Sequence, residues 1–241
     1  MALHGLKRTV MSVQIGADDR FIFCGTSSGD ILVIFIKSLI LAHIKTIKQF
    51  SGRGITCLTY CQDKKDGQHY LLAGVGSGQL GLLLLNTEDG TLRLERMTKL
   101  NGAITSISNG YDHEYSNGSF DTFVGTNKGN QYLLDSRSLE WQLRLTAHYE
   151  PIHDICFPPP MSQSADDLAV SSMLFATCSN NDIRIWLSDK KQEALRIQVS
   201  NPLAFTHSLT HSLTHAFTHT AYSPALLDLG FYPTSQCGVD T

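Results

Sequence analysis

The chain has 241 residues, enough for one large all-β domain or two small ones, and its 42% hydrophobic and 17% charged content is that of a globular core. A formal charge of −3 gives no reason to expect nucleic acid or an anionic membrane as partner. The six cysteines fall mostly inside apolar runs, which suits buried thiols in a reducing compartment better than a disulfide framework.

Met1 to Arg8 lacks the apolar core of a signal peptide and does not read as a transit peptide. A first strand is expected at Val10–Ile15. A second at Phe21–Cys24 leads into the turn Gly25-Thr26-Ser27-Ser28-Gly29-Asp30, and Ile31–Ile36 and Leu41–Ile47 complete the unit. Ile31–Ile36, resumed at Leu39–Ala42, is the longest apolar run and is too short to span a bilayer. The chain reads as cytoplasmic.

The same grammar returns twice. Ile55–Tyr60, Tyr70–Ala73, the turn Gly74-Val75-Gly76-Ser77-Gly78-Gln79, Leu80–Leu85 and Thr91–Met97 form a second unit. Ala103–Ser108, Asp121–Val124, the turn Gly125-Thr126-Asn127-Lys128-Gly129-Asn130, Gln131–Leu134 and Trp141–Leu145 form a third. Glycines Gly25, Gly29, Gly74, Gly78, Gly125 and Gly129 recur at fixed offsets, as expected where a tight hairpin needs positive φ angles. Cys57 and Cys61 have zinc-like spacing, but no second pair is near, so they read as packed thiols.

A fourth unit runs from Ile152–Phe157 through a polar loop, Pro158 to Ser172, to Leu174–Cys178, a short polar turn, a strand closing on Trp186, and Glu193–Val199. Ala176-Thr177 is expected in the Gly-Thr place. A repeat of roughly 50 residues, each of four short strands, is the signature of a propeller blade. A β-sandwich gives no reason for one turn to recur at one spacing. The expected fold is therefore all-β, a partial WD-repeat β-propeller of about four blades of four antiparallel strands, over residues 9–47, 55–97, 103–146 and 148–199. A low-complexity tail, 201–241, follows. In it Thr206-His207, Thr210-His211, Thr214-His215 and Thr218-His219 recur every four residues, and it reads as disordered or loosely helical rather than as a zinc site.

In WD blades a His before the inner strand, a Ser or Thr on the next, an Asp in the turn and a following Trp form a structural network. It supplies partners to a buried indole and imidazole. His148, Thr177, Asp182 and Trp186 are the candidates here; Asp182 stands only four residues before Trp186, so the turn is short. Ile34, Leu83 and Leu134 take the Trp place in the other units, which are expected to dispense with the network.

No catalytic, cofactor or metal residue is expected. Gly76-Ser77-Gly78 is a hairpin turn with no helix behind it, and the glycine turns join strand to strand without the Lys-Ser/Thr of a phosphate loop. Asp18-Asp19, Asp112-His113-Glu114 and Asp166-Asp167 read as solvated loop charges. His153 and Asp154, adjacent on a strand, point to opposite faces.

Leu6 to Val13, Gly25 to Leu32, Gly102 to Ile107, Phe175 to Trp186 and Leu195 to Ile197, in that order, resemble the cilia- and flagella-associated WD-repeat family of axonemal doublet microtubules. The resemblance covers about residues 6–202. It implies a non-catalytic structural role as a microtubule inner protein that lines and stabilises the doublet of a motile cilium or flagellum, within the cytoskeleton. Tubulin and other axonemal inner proteins are the implied partners. It also implies two tandem propellers in family members, of which this chain carries only about four blades; open edges would make it less stable than the whole. The alternative from the fold alone is a soluble WD scaffold of a signalling or ubiquitin-ligase complex.

Overall fold

A computed structural model describes residues 9–16, 19–63, 67–109, 121–135, 138–157, 174–187 and 192–198. The polar loop beginning at Pro158 and the His-Thr tail lie outside the described residues, as does the reading of that tail as non-metal.

The described residues form sixteen strands in four antiparallel sheets of four. The first sheet holds β1 (Val10–Ile15), β2 (Phe21–Thr26), β3 (Asp30–Phe35) and β4 (Ile40–Thr46). The second holds β5 (Ile55–Gln62), β6 (His69–Val75), β7 (Gln79–Leu85) and β8 (Leu92–Lys99). β9 (Ile104–Asn109), β10 (Asp121–Thr126), β11 (Asn130–Asp135) and β12 (Trp141–Thr146) make the third. β13 (Asp154–Cys156), β14 (Leu174–Cys178), β15 (Asp182–Leu187) and β16 (Gln192–Gln198) make the fourth. Within each sheet neighbours in space are neighbours in sequence, the simple meander of a propeller blade. The chain divides into two compact units, one ending at Asp154 and the other beginning at Ile155.

In the first unit the strand period of two sorts each central strand between two cores. Leu71, Ala73 and Val75 of β6 pack with Phe21, Phe23, Ile31 and Val33 of the preceding blade. Leu72, between them, packs with Leu80 and Leu82 against Val124, Tyr132 and Leu134 of the following blade. The second blade thus has a front face turned to its successor and a rear face turned to its predecessor. Central strands buried on both sides read as unbroken apolar runs, as Leu80–Leu85 does.

A 3₁₀ turn at Lys48–Phe50 leads from β4 into the second blade and drives the Phe50 ring, 0% exposed, into the first seam. Room for that ring comes from Gly81, where an added Cβ would stand 2.7 Å from Phe50 Cζ.

The outer hairpins of the first three blades share one turn. In each, an amide bonds the carbonyl four residues back: Leu39 to Phe35, Gly90 to Asn86 and Leu139 to Asp135. All three have positive φ, +53° for Leu39, +75° for Gly90 and +55° for Leu139.

Candidate functional site: blade turns and seams

The six repeat glycines divide into two sets with different physical tasks. Gly29, Gly78 and Gly129 sit in the inner hairpin turns with φ of +89°, +87° and +72°, the left-handed region that a side chain resists. Backbone carbonyls also crowd them, Phe50 at Gly29, Leu100 and Gly102 at Gly78, and His148 at Gly129. Gly25, Gly74 and Gly125 are not turn residues. They lie within β2, β6 and β10 with ordinary strand φ, which corrects the expectation that all six serve the turn. An added Cβ on each would lie 2.6–2.7 Å from the Cγ2 methyl of an isoleucine opening the next blade: Ile55 at Gly25, Ile104 at Gly74, Ile152 at Gly125. These three isoleucines are fully buried.

The register also moves the fourth unit's counterpart of these glycines. Gly25 stands opposite Ile31, the second residue of its third strand, and Cys178 stands opposite Ile183, the second residue of β15. The position expected for Ala176 is therefore filled by Cys178. The strand bounds leave the same gap in both hairpins, but between the last ladder pairs the fourth blade has one residue fewer, 179–182 against 26–30 in the first, and the motif slides accordingly. The same register confirms Ile34, Leu83 and Leu134 as counterparts of Trp186, each four residues into its third strand.

Of the expected network, the structure joins Thr177 and Trp186: the indole Nε1–H donates to Thr177 Oγ1 at 2.7 Å, both residues being buried. The indole also stacks on Phe175, ring centroids 6.5 Å apart. Asp182 accepts from Ser179 Oγ at 2.7 Å and from Arg184 Nε at 2.8 Å. Arg184 and Arg196 stand directly opposite on β15 and β16, and Glu193 lies between them, 3.3 Å from Arg184 Nη1 and 3.2 Å from Arg196 Nε. Two like charges opposed across a sheet repel; Asp182 and Glu193 offset that here. His148 belongs to the first unit, is 2% exposed, and donates its backbone N–H to Gly129 O.

Sequence reasoning missed a second polar cluster, in blades expected to have none. Asp30, the first residue of β3 and the counterpart of Asp182, is buried. It accepts from Ser28 Oγ at 2.7 Å and from Thr46 Oγ1 at 2.6 Å. Its backbone N–H donates to Thr26 Oγ1. The third blade repeats the scheme with Asn130, which accepts from Thr146 Oγ1 at 3.1 Å. In the second blade Ser77 Oγ donates to Gln79 Oε1 at 2.8 Å. The signal was in the sequence: a polar residue after each turn glycine, and a Thr ending the outer strand directly opposite it in β4 and β12.

Inner strands are tied across the seams as well. Ser12 Oγ donates to Ile55 O at 3.0 Å and Thr56 Oγ1 to Ile104 O at 2.6 Å. Cys57 and Cys61 lie on β5, and burial pushes both thiols up to about 12, Asp63 adding to the rise at Cys61. A thiol so placed is protonated at neutral pH and a poor nucleophile. The arrangement supplies close packing, satisfied turns and exposed blade rims.

No family model matches the chain. Among known proteins, the cilia- and flagella-associated protein 52 of Mus musculus is 33% identical over 197 residues, 81% of this chain and 28% of that protein. The protein of the same name from Homo sapiens is 32% identical over 197 residues, 81% of this chain and 28% of that protein. That of Chlamydomonas reinhardtii is 32% identical over 199 residues, with 83% and 28% covered. The chain thus spans a little over a quarter of the length of these relatives. Among solved structures, a chain of the crystal structure of the mitotic checkpoint complex aligns with a TM-score of 0.60 at 16% identity, over 80% of this chain and 54% of that one. The computationally designed Ika4 protein aligns at 0.53 and 14% identity, over 77% and 95%. At those identities the likeness is one of fold, and with the four meander sheets it gives a partial WD-repeat β-propeller. The run of blades, the glycine slots and the identity held over four-fifths of the sequence together make the chain a member of the cilia- and flagella-associated protein 52 family of WD-repeat proteins.

Proposed function

We propose that the chain is a non-catalytic structural component of cilia and flagella, offering blade surfaces to axonemal partners. The observation that carries this reading is the one-third identity to proteins named for cilia and flagella in organisms as distant as mouse and Chlamydomonas reinhardtii. The finer reading is a microtubule inner protein that lines and stabilises doublet microtubules, with tubulin and neighbouring inner proteins as partners. It draws on the family resemblance of the blade motifs. His148, Thr177, Asp182 and Trp186 act here as fold-holding groups, and residues 9–47, 55–97, 103–146 and 148–199 as four successive blades ahead of a tail.

The test is expression of the tagged chain in a ciliated cell lacking its own copy. Label that runs the length of axonemes and survives a high-salt wash supports the reading. Label that stays diffuse in the cytosol, or leaves with the wash, contradicts it.

A further inference from the structure

Beside each slot position, on the following strand, the register places one side chain: Ile31 beside Gly25, Leu80 beside Gly74, Gln131 beside Gly125 and Ile183 beside Cys178. Three of the four are aliphatic. Gln131 is 0% exposed, as Ile31 and Leu80 are, and among the described residues neither Oε1 nor Nε2 of its amide finds a hydrogen-bond partner. A buried amide left unpaired gives up its hydration with nothing in return.

The same corner lacks a tie that the other seams of the first unit have. Ser12 Oγ donates to the carbonyl of Ile55, the isoleucine seated on Gly25, and Thr56 Oγ1 donates to that of Ile104, seated on Gly74. The third blade carries both hydroxyls. Ser106 pairs with Gly125 as Ser12 does with Gly25, and Thr105 follows Ile104 as Thr56 follows Ile55. Among the described residues neither Ser106 Oγ nor Thr105 Oγ1 has a partner, so Ile152 sits on Gly125 with its carbonyl tied by neither. Residues 147–152 cross this corner on three backbone bonds. The N–H groups of Ala147 and His148 donate to Gly129 O at 2.8 and 3.2 Å, and that of Ile152 donates to Thr126 O at 3.1 Å. Ala147 stands where the second seam has Leu100, whose N–H donates to Gly78 O. Both are buried, so a methyl replaces the larger leucine side chain in the cover.

We propose that residues 147–152 form a strap that opens from the third blade while the rest of the first unit stays folded, and that the unpaired Gln131 amide is what loosens it. Opening returns the amide and the two hydroxyls to water. It gives up three backbone bonds and the seat of one isoleucine. At the first two seams the same movement would expose Ile31 or Leu80 and break the Ser12 or Thr56 bond, so those corners stay shut. Segments that move are drawn from such places of low local stability. The inference stands apart from the ciliary reading.

Hydrogen exchange of the full 241-residue chain, read at single amides, tests it. Protection at Ala147, His148 and Ile152 is expected to be alike, and at least about tenfold lower than at Leu100, the equivalent position of the second seam. Gln131→Met keeps the length of the side chain and removes the unpaired amide. It is expected to raise protection at all three at least about tenfold and to leave Leu100 as it was. Gln131→Leu, which copies the second seam, should act in the same direction. Strap amides as well protected as Leu100 overturn the proposal. So does protection that is unchanged or lowered in both variants, because the amide is then bonded, to an internal water for one, and holds the strap down.

Discussion

The Cγ2 methyl of Ile55 lies 2.7 Å from the point where a Cβ on Gly25 would stand, closer than two carbons approach. Two blades thus meet at a separation that only glycine allows. Gly25→Val is expected to cost about 1–3 kcal/mol by overpacking, read as a lower urea midpoint. Ile55→Ala alone costs about 2–5 kcal/mol as a cavity. Added to Gly25→Val it should cost clearly less, because the new side chain fills part of the space. Strict additivity of the two changes would show that the residues do not share the seam.

The turn glycines answer to backbone geometry instead. Gly29→Ala places a methyl at φ +89° beside the Phe50 carbonyl, whereas Gly52→Ala, at φ +70°, meets nothing within 4 Å. Both pay the left-handed penalty, about 1–2 kcal/mol, and only the first adds a collision with backbone. Chemical denaturation should rank Gly29→Ala as the more damaging; equal costs would mean that the carbonyl yields freely.

At the Trp186–Thr177 contact, Thr177→Val keeps the shape and strands a buried indole N–H, a loss of about 1–3 kcal/mol. Thr177→Ser restores the acceptor and should recover most of it. Trp186→Phe removes the donor, so Thr177→Val in that background should cost little more. A Thr177→Val penalty that is the same with and without the indole rules out the bond as its cause.

Alkaline pH should weaken the fold through Cys61. Its thiol is raised by burial, and further by Asp63, to about 12, against 9.0 for an unperturbed thiol. Below pH 9 both folded and unfolded chains keep this proton. Between about 9 and 12 the unfolded chain loses it first, which favours unfolding, so stability falls as pH rises through that window. The melting temperature should decline from pH 8.5 to about 10.5, and Cys61→Ala should decline less steeply whatever its starting value. A steeper or unchanged slope would remove Cys61 as the source.

The sequence made the blades legible because each strand of a buried sheet writes itself as an apolar run and each inner hairpin as a glycine turn. It did not separate the two glycine tasks. Gly25 and Gly29 look alike in a motif, yet one is required by Ile55, thirty residues on, and the other by its own φ. The Asp30 and Asn130 clusters were missed because their partners, Thr46 and Thr146, come from another strand and become neighbours only through register. Ala176 was misplaced because the ladder of β14 and β15 runs one pair further toward the turn than in the first blade, and spacing counted from Trp186 carries no information about β14.

Three outer hairpins need the same left-handed residue, and the chain meets the need unequally. Gly90 takes the conformation freely, and Leu139 is repaid by burial at 4% exposure, but Leu39 holds it at 72% exposure with little returned. Leu39→Gly should therefore raise the melting temperature, while Leu139→Gly should lower it, because there the lost side chain outweighs the relaxed backbone. Conformational tension in the first blade thus falls in part on a corner where solvent replaces neighbours. That corner is where an engineered stabilisation of this propeller segment has most to gain and least packing to disturb.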